Sequence, residues 1–82
     1  MAGFNANLRR IMKREGIGPT ALGRLMGVHR NNVYAWMDYV REPKQETIVK
    51  LAEALGVGEL ELVPDWEERY GNLQDGSEGQ GD

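Results

Sequence analysis

The 82-residue sequence contains no cysteine and a single histidine, His29. Disulfide frameworks, thiolate nucleophiles and cysteine zinc sites are thereby excluded, and a lone histidine cannot build a histidine metal cluster. No apolar run approaches the roughly 18 residues of a membrane-spanning helix, and the amino terminus lacks the apolar stretch of a signal peptide. The expected setting is the cytoplasm, with no membrane partner. At this length the chain has room for one small domain and not for a large catalytic core, so neither an enzymatic constellation nor a cofactor is expected.

The chain has a net charge of −3, which taken alone argues against a partner as acidic as DNA. The charge is unevenly placed. From Met1 to Gly58 nine Lys or Arg stand against five acids, a net +4, whereas from Glu59 to Asp82 eight acids stand against Arg69 alone, a net −7. Residues Gly71–Asp82 hold four glycines, three acids and one apolar side chain, Leu73. So little apolar surface cannot offset ordering entropy, and these residues are expected to form a disordered, acidic, Gly-rich tail on a domain spanning residues 1–70.

Apolar spacing divides that domain into short helices. Phe4, Leu8, Ile11 and Met12 predict a first helix ending near Glu15, with Asn5 or Asn7 available as its cap and Gly16 as its stop. Pro19 suits the first position of a second helix, whose apolar face is expected from Leu22, Leu25 and Met26 and whose stop is Gly27. Val33, Trp36 and Met37 mark a third helix at once, with no further turn residue between them and Gly27. Beyond Pro43, the positions Ile48, Leu51, Ala52 and Leu55 predict a fourth helix stopped by Gly56. Gly58–Val63 alternates like a strand but is short enough for a helical turn, and a short fifth helix closed by Pro64 is the favoured reading. Trp66 and Tyr70, at i and i+4, pack either on the core or on a partner. The expected fold is all-α: a compact bundle of about five short helices containing a helix-turn-helix, followed by the disordered acidic tail.

Two short helices joined by a single glycine turn are the most informative feature. Gly23, Gly27, Val33 and Trp36 supply, in order, a small residue at a close crossing, a turn glycine, a β-branched core residue and an apolar anchor. With these residues, and with Pro43 and the run Ile48-Val49-Lys50-Leu51-Ala52-Glu53-Ala54-Leu55-Gly56-Val57, the chain resembles the phage lambda repressor/Cro-like helix-turn-helix family from about Asn7 to Val63. The resemblance implies that the helix from about residue 29 to 38 enters the major groove of double-stranded DNA, which admits one α-helix and carries a distinct donor and acceptor pattern. The residues it places for base reading are His29, Arg30, Asn31, Asn32 and Tyr34. Arg30 suits a bidentate pair to guanine, and Asn31 or Asn32 one to adenine. His29 stands where the family usually has a serine or threonine cap, so it is either a cap, a phosphate contact or a base reader. Tyr34 contacts backbone or packs. Thr20, Arg24, Arg41 and Lys44 fall where phosphate contacts are made; Arg24 is equally well read as a solvated arginine. Arg9, Arg10, Lys13 and Arg14 read as a solvated face that adds to the attracting field.

Three departures from the family pattern stand out. Gly18-Pro19 replaces a Thr-Gln pair, so a glutamine contact to phosphate is lost, although the Thr20 N–H remains at the helix start. Met12 and Met37 occupy the positions of a frequent arginine–glutamate ion pair, and an apolar exchange of both partners leaves no orphan charge. Lys44 takes the place of a serine cap. The resemblance further implies a homodimer, for which the candidate residues are Leu60, Leu62, Val63, Trp66 and Tyr70; these residues serve equally well to close the core of the monomer. Two functional readings follow: a sequence-specific transcriptional regulator, or an antitoxin-like or adaptor module whose acidic carboxyl-terminal segment binds a protein partner.

Overall fold

The computed structural model describes residues 3–38 and 42–71, which form five α-helices and a terminal stretch of π-helix, with no strand among the described residues. The helices are α1 (Phe4–Glu15), α2 (Pro19–Met26), α3 (Arg30–Asp38), α4 (Gln45–Leu55) and α5 (Glu59–Leu62), followed by the π-helical stretch Glu67–Gly71. Three of them stop by one device. Gly16, Gly27 and Gly56 follow α1, α2 and α4 with φ of 70°, 72° and 72°, a left-handed conformation that glycine alone takes without strain. At the second stop the Gly27 N–H donates to the Arg24 carbonyl at 3.2 Å and the Val28 N–H to the Gly23 carbonyl at 2.8 Å, and the same pair of bonds recurs at Gly16-Ile17 and Gly56-Val57. Each stop satisfies carbonyls that the helix end would orphan and turns the β-branched residue after the glycine onto the core, where Ile17, Val28 and Val57 all pack.

The core is drawn from every helix. Leu8, Ile11, Leu22, Val33, Ile48, Leu51 and Leu62 are fully buried, joined by Phe4, Met12, Ala52, Leu55, Val63 and Trp66. Each large aliphatic side chain removed from water contributes about 1.5 to 3 kcal/mol before the opposing loss of chain entropy. α2 packs most extensively on α3, and α1 lies across α3, α5 and α4. The expected all-helical architecture and the glycine stops are therefore present, and Glu59–Leu62 is helical rather than a strand.

Packing departs from the sequence reading at several residues. α1 starts after Gly3, which caps it without a side chain, so neither Asn5 nor Asn7 is its cap. Asn5 Oδ1 accepts from the adjacent Ala6 N–H at 2.9 Å. Asn7 is instead buried, and its Nδ2 donates to the Leu62 carbonyl at 3.1 Å, tying α1 to the end of α5. Leu25 is 58% exposed and not part of the buried face of α2. At about 100° per residue, the stripe facing α3 and the core is centred between Leu22, Gly23 and Met26, which leaves Leu25 on the far side of Leu22. The close approach at Gly23 sets that rotation: a Cβ there would stand 2.8 Å from the Val28 carbonyl oxygen.

At the carboxyl-terminal end Leu62, Val63 and Trp66 are buried inside the chain's own core. Leu60 remains 51% exposed and Tyr70 partly exposed, with the Trp66 and Tyr70 rings 4.5 Å apart between centroids and tilted by 56°. Gly71 is buried as the last residue of the π-helical stretch. The remainder of the expected tail, residues 72–82, lies outside the described residues, as does Arg41.

Candidate nucleic-acid interface

α3 begins three residues after Gly27, and its direction is fixed from both ends. At its start His29 is the residue before the first helical turn, and its Nδ1 accepts the Asn31 N–H at 3.0 Å. This is the geometry of a side-chain cap, so the ring fills the position a serine or threonine would take. Nδ1 acting as acceptor leaves the proton on Nε2, a donor on the outer edge of the ring. The Asn32 N–H closes the turn on the His29 carbonyl at 2.9 Å. At the other end the Arg9 guanidinium on α1 donates to the Met37 carbonyl, placing a cation where the helix dipole is negative. Met12 is buried and Met37 partly so. These two methionines make no ion pair, and Arg9 instead supplies a polar tie between α1 and α3.

Along α3 the division between core and solvent is sharp. Val33 is the one residue of the helix that is buried, with Ala35, Trp36 and Met37 partly covered. His29, Arg30, Asn31, Asn32 and Tyr34 are all exposed, Tyr34 at 44%. Arg30 and Tyr34 are one turn apart, as are Asn31 and Tyr34, so these side chains share a face. The donors and acceptors carried there are those that pair with purine edges in the major groove.

The flanking candidates are on neighbouring elements. Thr20 is exposed in the first turn of α2, whose cap, Gly18, offers no side-chain acceptor. Arg24 is exposed in the last turn of the same helix, and Lys44 is exposed as the residue capping α4, again without a side-chain hydrogen bond. By contrast the arginines of α1 are engaged within the chain. Arg10 donates to Asn7 Oδ1 at 3.2 Å, and Arg14 pairs with Glu61 at 2.9 Å and Glu15 at 3.0 Å.

A second arginine acts near the segment after α3. Arg69, on the π-helical stretch, pairs through Nε with Asp65 at 2.8 Å and through Nη1 with Glu42. Composition gave no sign of these links, since their partners are 27 residues or more apart in the Arg69–Glu42 and Arg9–Met37 cases. The Arg14 guanidinium is held above the ordinary arginine range by Glu61 and then Glu15, and that of Arg69 by Asp65 and then Glu42. A raised arginine pKa contributes stability below its unfolded value and loses it only as pH rises through the folded one, so neither pair loosens by arginine deprotonation near neutrality.

Among the described residues no group of three or more His, Asp or Glu side chains is placed to hold a metal ion, and no helix is long and apolar enough to cross a membrane. A family model described as a helix-turn-helix matches residues 8–62. No curated protein and no solved structure matches the chain significantly.

Proposed function

The chain belongs to the lambda repressor/Cro-type helix-turn-helix family, whose domains bind DNA and are typically non-catalytic, and from that premise we propose that it is a sequence-specific transcriptional regulator. α3 lies in the major groove with Arg30, Asn31 and Asn32 toward base edges and Tyr34 toward the backbone or a thymine methyl. Thr20, Arg24, Arg41 and Lys44 hold the surrounding phosphates. The observation that supports this reading best is that α3 buries only Val33 while presenting a contiguous polar face. With one fully buried side chain in nine residues, α3 leaves most of its surface open to a partner, as a helix that enters a groove must.

The protein acts as a homodimer on a two-fold site with half-sites about one helical turn apart. With Leu62, Val63 and Trp66 enclosed, the dimer surface reduces to Leu60 and the exposed part of Tyr70. Selection from random duplexes tests the whole reading. The purified protein is expected to enrich a motif at low salt and to lose affinity as salt rises. Arg30→Ala and Asn31→Ala are each expected to cost about 1 to 3 kcal/mol of discrimination at one base position. Enrichment of no motif at low salt would refute the proposal and favour the adaptor reading, in which the acidic carboxyl-terminal segment engages a protein.

A further inference from the structure

We propose that Arg69 is a positioning residue for DNA binding, acting through Glu42, a role that rests on the DNA-binding reading above. Glu42 is the one carboxylate between Tyr39 and Lys44, the segment that carries the phosphate candidates Arg41 and Lys44. An unpaired carboxylate two residues from Lys44 is well within the roughly 10 Å Debye length at 0.1 M salt and opposes the approach of a phosphate backbone. Arg69 removes that opposition. Its Nη1 pairs with Glu42, whose side chain is only 24% exposed, while its Nε is held by Asp65 at 2.8 Å. Asp65 precedes Arg69 by one helical turn, so it fixes the guanidinium in the orientation from which the second nitrogen meets Glu42.

Arg69 is the single cation between Glu59 and Asp82, a segment with a net charge of −7. A segment that otherwise repels DNA therefore contributes its one positive group to neutralising an acid two residues from the phosphate candidate Lys44. The same pair fastens the π-helical stretch Glu67–Gly71 to Glu42, just ahead of α4.

The experiment is a fluorescence-anisotropy titration of a random duplex and of the selected motif by the full chain, at low and raised salt, with urea unfolding of each variant. Arg69→Ala is expected to weaken binding roughly three- to tenfold at low salt, the scale of a surface charge contact, with the loss shrinking as salt rises. The double variant Arg69→Ala with Glu42→Gln is expected to return to within about twofold of wild type. The double variant Arg69→Ala with Glu68→Gln has the same net charge but leaves Glu42 unpaired, and is expected to stay weak. Equal recovery by both doubles overturns the proposal in favour of net charge alone. Recovery by neither overturns it in favour of a purely structural role, and wild-type affinity in Arg69→Ala overturns it outright. Failure of the wild-type chain to bind any duplex overturns the DNA-binding reading itself, and is seen before any variant is compared.

Discussion

His29→Ala removes the ring nitrogen that accepts the Asn31 N–H at 3.0 Å and leaves the first turn of α3 without its side-chain cap. Loss of such a cap costs about 1 kcal/mol, within a range of roughly 0.5 to 2. The loss is felt because α3 has nine residues, short of the roughly 12 to 15 at which an isolated helix becomes even marginal, and has one buried side chain to anchor it. For a domain of roughly 70 residues the whole stability is on the order of 5 kcal/mol, so the cap accounts for about a fifth of it. With an m-value of about 1 kcal/mol/M, the urea midpoint is expected to fall by about 1 M. The melting temperature is expected to fall by about 4 to 8 °C. His29→Asn keeps an acceptor at the cap and is expected to restore both midpoint and DNA affinity. An unchanged midpoint in His29→Ala refutes the cap. A stable His29→Asn that binds DNA poorly refutes the assignment of the ring to capping alone, and points to its outer Nε2 as a DNA contact.

Asn7→Ala takes away the donor to the Leu62 carbonyl and leaves that acceptor unpartnered, which costs about 1 to 3 kcal/mol, less about 0.5 for the better helix residue. Asn7→Asp keeps the shape but faces one oxygen with another, so it is expected to be destabilised as well; a near-wild-type urea midpoint shows that the contact carries nothing. Gly27→Ala forces a side chain into the left-handed conformation at φ of 72° and is expected to lower stability by about 1 to 2 kcal/mol, read from thermal melts. Lys44→Ala is expected to weaken binding to all duplexes alike and to lower the salt slope by about 1, leaving the selected motif unchanged; an altered motif contradicts its placement on phosphate.

The helical order, the glycine stops and the identity of α3 were legible because each is written locally, in spacing and in turn chemistry. Gly27 followed by Val28 specifies its own hydrogen bonds whatever surrounds it. What escaped depends on partners distant in the chain. Asn7 looks like a cap because asparagine usually is one near a helix start, and only the Leu62 carbonyl, 55 residues away, shows otherwise. Leu25 has the spacing of a core residue, yet the approach of α3 over Gly23 turns the buried stripe of α2 away from it. Leu62, Val63 and Trp66 fitted a dimer surface or a core equally well by pattern, and their enclosure follows from where α1 and α4 pack. The face of α3 is a middle case. Its polar residues could be read from sequence, whereas the capping role of His29 required the ring geometry.

The isolation of Val33 as the buried residue of α3 has a consequence for how such a protein diversifies. Exposed positions away from caps and core usually change stability by no more than about 0.5 kcal/mol when substituted. Arg30, Asn31, Asn32 and Tyr34 are thus free to drift as a group without unfolding the domain that carries them. In the proposed reading, retargeting the protein to a new DNA site is then a matter of exchanging one helical face, with no compensating repair elsewhere in the chain.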